Sequence, residues 1–506
     1  MNVLLVYPEC TDTFWSFKHA LKFTGKKAAF PPLGLLTVGA MIPRQWKTVL
    51  VDENVERLTE KMIEASDIIL VSAMLAQSEA TELVLTRCRA LGKRTVLGGP
   101  MATADPERFS GLADHLVLGE AELTFPRFLR DIESGNIDPV YKPEPNTWAD
   151  LRETPIPRWD LVRKNMHKYS SMAVQSGRGC VWDCEFCNVI DLFGRRIRLK
   201  SESMVVAELE SLRRTGWKGS VFFVDDNFIA NIKKAKLVLA ETAKFQEKHG
   251  YPFQFYTQVD ITLADDEELI DLMRRAVFFR VFIGIETPEI ESLIASNKHQ
   301  NVGVDVPKAV GRLLSAGIQV QAGFVIGFDS DTGETFGKMI RFIQETGIMT
   351  AMVGTLQALP GTKLYKRLES EGRLLGKSTG DNTDGSVGYI PKNMSPEELE
   401  KGYGRIVSAI YSPERYDRRL QLFLLHYRPN DSLRQGLSWG GTQAFFLSMV
   451  LIGFFSRARK WYWKSLFGAM KNNIRALPAA IEHWVLWYHF HIVARKVIGA
   501  DLKPVS

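Results

Sequence analysis

The sequence predicts an α/β protein in three parts: a doubly wound parallel sheet, a partial (β/α)6 barrel and a helical carboxyl-terminal region. Short β-branched runs alternate with helix-spaced apolar residues over 1–140 and again over 171–370, the pattern of parallel strands covered on both faces. A stretch dense in Pro and Trp, 141–170, separates the two series. Beyond 370 the composition changes: over 434–506 ten Lys or Arg face two acids, and five of the 11 Trp lie there. A chain of 506 residues exceeds one ordinary domain. Its 45% hydrophobic and 24% charged residues exclude a disordered, collagenous or multi-span membrane chain.

In the first series strands are expected at 3–7, 48–52, 68–72, 95–97 and 116–118, with helical spacing between them, as over 78–91. The opening residues lack the basic and long apolar regions of a signal peptide and read as the first strand. Doubly wound sheets bind ligands at the carboxyl ends of their strands. Those ends read Pro8-Glu9-Cys10, Ser72-Ala73-Met74, Gly98-Gly99-Pro100 and Gly119-Glu120, where glycines let backbone approach a large flat ligand. In the second series six strands are expected at 171–176, 220–224, 253–258, 280–285, 319–326 and 350–358. Helices at 204–214, 232–247, 266–276 and 306–316 separate them. Here too the chemistry is expected at the carboxyl ends.

The first strand of that series leads into Cys180-Val181-Trp182-Asp183-Cys184-Glu185-Phe186-Cys187. With five cysteines in all, three of them in eight residues, a metal site in a reducing, cytoplasmic compartment is expected rather than a disulfide framework. A structural zinc needs four closed ligands, and the nearest histidine, His167, lies back in the linker. Three thiolates on a 4Fe-4S cluster leave one iron open to a further ligand. The order of Gly284-Ile285-Glu286, Gly323-Phe324-Val325-Ile326-Gly327-Phe328 and Leu359-Pro360-Gly361-Thr362-Lys363-Leu364-Tyr365 agrees with the cysteine motif. Together these segments resemble the radical S-adenosylmethionine (SAM) superfamily. The resemblance implies that Cys180, Cys184 and Cys187 hold the cluster, and that Asp225, Asp226 and Glu286 contact SAM. It also implies an external electron donor of the flavodoxin or ferredoxin type.

Phe30-Pro31-Pro32-Leu33-Gly34-Leu35, with the two glycine-rich strand ends, resembles the flavodoxin- or Rossmann-like domain of the cobalamin-binding subgroup. Ser72, Gly98, Gly99, Gly119 and Glu120 would then line the cobalamin site. The Asp-x-His-x-x-Gly motif that supplies a cobalt ligand in many cobalamin domains is missing, since His19 and His115 stand outside that pattern. The two cofactors together imply methyl transfer to an unreactive carbon. An RNA- or protein-directed methylthiotransferase normally carries a further amino-terminal cysteine triad, and only Cys10 and Cys88 are available here.

In the tail, 437–455 is free of charge but carries several polar residues, and 481–498 is aromatic and basic. Both are expected to lie in a membrane interface rather than to span it. A nucleic-acid tail is disfavoured because aliphatic runs interrupt the basic residues. Asp12-Thr13-Phe14-Trp15-Ser16-Phe17-Lys18 and Tyr411-Ser412-Pro413-Glu414-Arg415-Tyr416 resemble the lipid-active branch that contains hopanoid C-2 methylases, which is itself similar to enzymes of bacteriochlorophyll rings. The branch implies a membrane-associated polycyclic lipid as substrate, with a tetrapyrrole, methylated or oxidatively cyclised, as the alternative.

Overall fold

The structure, a computed structural model, describes residues 1–430 and 439–499. Its first sheet holds β1 (Asn2–Tyr7), β2 (Lys47–Asp52), β3 (Ile68–Ser72), β4 (Arg94–Gly98), β5 (His115–Val117) and β6 (Val140–Tyr141). All are parallel, in the order β2-β1-β3-β4-β5-β6. Val3, Leu4, Leu5 and Val6 are all buried, alternate residues entering cores on opposite faces, which is why β1 reads as an unbroken apolar run. The order reverses at β1 and β3, so the crevice at their carboxyl ends is the ligand-binding position of such a sheet. β6 extends past the boundary expected at 140: two residues are too few to carry a periodic signal, and Tyr141 is buried in the sheet rather than loose in the linker.

The second sheet contains β7 (Ser171–Val174), β10 (Gly219–Phe223), β11 (Phe253–Val259), β12 (Phe278–Glu286), β13 (Gln319–Ile326) and β14 (Thr350–Thr355), in the order β14-β13-β12-β11-β10-β7. A small antiparallel pair, β8 (Gly177–Arg178) and β9 (Arg198–Leu199), flanks the cysteine loop. The barrel is open between β7 and β14, and two distant segments fill the gap. Beside β7, Ser170 and Ser171 donate backbone hydrogen bonds to Ala28 and Ala29. Beside β14, the Thr355 amide donates to the Asn382 carbonyl, and Trp15 Nε1 reaches Asn382 Oδ1 at 3.4 Å. The amino-terminal segment thus completes the barrel wall.

The carboxyl-terminal region is helical: Pro396–Ile410, Pro413–His426, Trp439–Ser448 continued by a π-helical turn at Met449–Phe454, then Arg459–Asn472 and Leu477–Val497. The expectation of an interfacial helix at 481–498 is corrected here. Trp484, Trp487, His489 and Phe490 are buried. Trp487 Nε1 donates to the Tyr411 carbonyl at 2.9 Å, and Phe490 packs on Phe14 and Tyr411. Composition alone does not distinguish a core helix rich in Trp from an interfacial one. Of the other stretch, 437–438 lies outside the described residues. Among the described residues no helix is long and apolar enough to cross a membrane.

Candidate functional site

The cysteine loop projects from the carboxyl end of β7 and is fastened from several sides. Trp182 Nε1 donates to Asp260 at 2.9 Å, at the end of β11. Asp183 pairs with Lys363 and Arg195, and Glu185 takes both arms of Arg367 at 2.6 and 3.1 Å. The Leu364 amide donates to the Glu185 carbonyl. The acidic residues between the cysteines therefore explain the segment Leu359 to Tyr365, whose helix Lys363–Ser370 clamps the loop. A bidentate arginine–carboxylate pair fixes orientation as well as distance.

Burial raises the pKa of all three thiols, that of Cys187 to about 12. Such thiols ionise only against a strong local positive charge, which a metal supplies. Among the described residues the His, Cys and carboxylate trio close enough to share one ion is Asp12, His19 and His489. That trio is already engaged: Lys496 sits on Asp12, and the two ring nitrogens of His489 meet the His19 amide and the Phe14 carbonyl. Among the described residues the three cysteine sulfurs do not lie close enough together to share a single ion. Three cysteines spread around one loop fit a multi-iron cluster.

Behind the loop, the buried Glu286 accepts from the largely covered Lys298 at 2.8 Å. Burial works against the Lys298 ammonium, but Glu286 and Cys184 hold its pKa above the ordinary value. Glu286 has φ 66°, a left-handed conformation that costs a non-glycine residue energy and marks a functional turn where it persists. Gly284 is needed beside it, because a Cβ there would come within 2.5 Å of Glu286 Oε1. Lys298 carried no signal in the sequence, where a lone lysine after a helix has no distinguishing pattern.

Asp225 and Asp226 sit at the carboxyl end of β10, as expected, but within the chain they hold backbone. Asp225 accepts from the Ser176 amide at 2.8 Å and from the Ser176 hydroxyl, and Asp226 accepts from the Gly179 amide at 2.8 Å. They set the path of the chain into Cys180.

The barrel interior is lined by alternate strand residues. On β11 Phe253, Phe255 and Thr257 are buried under the outer helices, while Gln254, Tyr256 and Gln258 face inward and stay partly accessible. Strand register places Phe222, Tyr256, Arg280 and Gln319 in one row, Gln258, Phe282 and Gln321 in the next, and Gly284 with Gly323 above them toward the cysteines. Phe222 and Tyr256 stack at 4.6 Å, Phe30 tilts onto Phe222 at 5.3 Å, and Trp15 tilts onto Phe282 at 5.1 Å. At the lower row Arg280 bonds Gln319 and Glu482. The lumen is thus walled by aromatic rings, two of them brought by the amino-terminal segment, over a polar floor.

At the first sheet Gly99 has φ 85°, and a Cβ there would lie 2.4 Å from Ser72 Oγ. Gly119, at φ 71°, leaves room for Pro143, and Gly98 for the Val117 carbonyl. Ser72 borders the β1/β3 crevice and the glycines stand beside it, with Met74 exposed in the loop above. At all three positions the space a side chain would take is filled by the chain's own atoms, so the glycines let neighbouring segments pack closely at the strand ends. Glu120, expected at the cobalamin site, is held within the chain by ion pairs. Its carboxylate accepts from Arg178, Arg198 and the Ala149 amide at 2.7–2.9 Å and is buried, while Glu122 takes the other arm of Arg178 at 2.7 Å. Since Arg178 and Arg198 lie on β8 and β9, this knot joins the first sheet to the cysteine loop across the linker.

Residues 174–343 match the radical SAM superfamily, 27–129 the B12 binding domain, and 362–501 a domain of unknown function. The chain is 36% identical to an uncharacterized methyltransferase of Synechocystis, over 99% of this chain and 94% of the relative. It is 32% identical to the hopanoid C-2 methylase of Rhodopseudomonas palustris, over 84% and 80% of the two chains. A bacteriochlorophyllide d C-12(1)-methyltransferase of Chlorobaculum tepidum is 22% identical over 77% and 84%. The fold matches that of the radical SAM methyltransferase TsrM from Kitasatospora setae, solved with cobalamin and a [4Fe-4S] cluster, with TM-score 0.64 at 15% identity over 99% of this chain and 100% of that one. The three free thiols, the glycine-lined crevice and the relatives covering nearly the whole chain lead to one assignment: the chain belongs to the cobalamin-binding radical SAM methyltransferases, enzymes that use a 4Fe-4S cluster, SAM and cobalamin.

Proposed function

We propose that this methyltransferase acts on an unactivated carbon of a membrane-associated polycyclic lipid such as a hopanoid, at the cytoplasmic face of the membrane. The observation that carries the reading is the lumen: Trp15, Phe30, Phe222, Tyr256 and Phe282 offer an aromatic wall, and Arg280, Gln319 and Glu482 offer hydrogen bonds at its lower end. Fused apolar rings with one polar end match such a chamber, since binding sites combine apolar walls with a few placed polar groups. The 32% identity to a hopanoid C-2 methylase over most of both chains supports the same substrate class.

In this reading Cys180, Cys184 and Cys187 hold the cluster. Glu286 and Lys298 present a carboxylate and an ammonium to the amino-acid end of SAM, while Asp225 and Asp226 act one step back by fixing the chain from Ser176 to Gly179. Ser72, Gly98, Gly99 and Gly119 border the cobalamin crevice. When bound, the cofactors supply hydrogen abstraction and the methyl group, and the electrons come from a flavodoxin or ferredoxin. The chain's own work is to hold the target ring against the aromatic wall and keep water from the mouth of the barrel.

Mass spectrometry of lipid and pigment extracts tests this, using a heterologous host supplied with cobalamin and candidate hopanoids, with the triple Cys→Ala variant as control. A lipid heavier by one methylene, absent in the variant, is the expected result. Methylated or cyclised tetrapyrrole with unchanged lipids would overturn the substrate class and leave the family chemistry in place.

A further inference from the structure

The exposed apolar residues of the carboxyl-terminal region fall in two stripes. Phe446, Val450 and Phe454 follow at four-residue steps on one helical stretch, Phe467 and Met470 follow three apart on the next, and Ile474 lies in the short turn just after it. All six are between 44% and 63% exposed. Such spacing puts the first trio on one helix face and Phe467 with Met470 on another, so both helices turn an apolar face outward as well as inward. The inward face is already covered, since Tyr462, Ser465, Leu466 and Ala469 are buried. A groove of about 410 Å³ opens beside the second stripe, between the helices Pro413–His426 and Arg459–Asn472, with Leu425 at its rim and Arg428 within. Cations border the stripes: Arg457, Arg459, Lys460 and Lys471 are exposed, and no acid occurs from Trp439 to Ile481.

We propose that the two stripes form the docking surface for an anionic lipid bilayer, the apolar side chains entering the boundary of headgroups and acyl chains and the cations meeting phosphates. Charge decides between this occupant and a second copy of the chain. A self-interface would bring these cations against their own counterparts with no acid in the segment to offset them, whereas an anionic surface neutralises them. The location also matters to the site. The helix Trp439–Ser448 leans on the amino-terminal segment, with Gly440 beside Thr24 and Gln443 beside Gly25, and that segment carries Trp15 and Phe30 into the lumen. The purpose of docking rests on the lipid reading above; the docking itself is testable without substrate.

The full-length chain, reconstituted anaerobically with cluster and cobalamin, is floated with mixed phosphatidylglycerol–phosphatidylcholine vesicles and with pure phosphatidylcholine vesicles. Wild type is expected to float with the anionic vesicles, less so as salt rises. Phe454→Glu with Phe467→Glu should lower the bound fraction about tenfold, and Arg457→Gln, Arg459→Gln and Lys460→Gln together about as much. Circular dichroism and cluster absorbance establish that each variant is folded. Two results would overturn the proposal: wild type that stays unbound at low salt, or light scattering that reveals a dimer which Phe454→Glu with Phe467→Glu dissociates. Release of 5′-deoxyadenosine without vesicles should match wild type in every variant. If wild type docks but no lipid gains a methyl group, the docking surface stands and the lipid substrate falls.

Discussion

The mouths of the two parallel sheets face related tasks and solve them with different materials. The barrel mouth is built from donors and charges: three thiols, the Glu286–Lys298 pair, and acids that bind Lys363 and Arg367. The mouth of the first sheet is built from missing side chains, at Gly98, Gly99 and Gly119, around one hydroxyl at Ser72. A cluster is held by bonds, so its site needs named ligand atoms; a corrin is held over a broad area, so its site needs room. The contrast predicts that the two cofactors can be lost separately, each by a different kind of substitution.

The largest effect belongs to the thiols. Replacing Cys180, Cys184 and Cys187 by Ala should abolish the cluster's absorbance and 5′-deoxyadenosine formation, while cobalamin still co-purifies. SAM cleavage that persists in this variant would sink the assignment of the loop. Next comes a knot of charges that ties the two mouths together. Glu120→Gln removes a charge that two buried arginines share, and breaking such a pair costs about 3–5 kcal/mol. Thermal melts should fall by many degrees and both cofactors should be retained poorly, the only substitution here expected to damage the two mouths at once. A melt unchanged within error would mean that the knot is not what joins the sheets. Gly99→Val is smaller and one-sided. The left-handed backbone costs a β-branched residue about 1–2 kcal/mol, and the added carbon meets Ser72 Oγ. Cobalamin recovered per chain should drop about tenfold or more, with iron content unchanged.

The same contrast explains what could be read from the sequence. The cysteine loop was legible because ligand chemistry is local: eight residues carry all three donors, and their position after a strand follows from periodicity. The strands were legible for a similar reason, since parallel strands buried on both faces write themselves as apolar runs. The ion pairs of Glu120 were not legible, because its partners Arg178 and Arg198 are 58 and 78 residues away. Lys298 and Arg280 were missed for the same physical reason, as a single cation acquires meaning only from what the fold brings to it. In the tail, Trp484 and Phe467 belong to similar aromatic and basic sequence, yet one is buried and the other exposed. Which face of a helix is covered depends on partners that composition does not name.

A further predicted effect separates the mouths by pH. Burial raises the Asp225 carboxyl from 3.8 to about 7, with the Ser176 hydroxyl and amide and the Gly177 amide working against that rise. In the unfolded chain this aspartate loses its proton near 3.8, so between there and about 7 the folded state binds the extra proton. The stability it contributes is therefore fully present at acid pH, is lost as pH rises through about 7, and is constant above. For the cofactor-free chain the loss between about pH 5 and pH 7 should be about 2 kcal/mol. Asp225→Asn, which imitates the protonated form, should lessen that slope in urea melts by Asp225's share, the buried Asp331 carboxyl, raised to about 6, keeping part of it, while cobalamin uptake at the first mouth stays unaltered. A slope unchanged by the substitution would move the titration elsewhere, and cobalamin loss on Asp225→Asn would show that the two mouths are less independent than their construction implies.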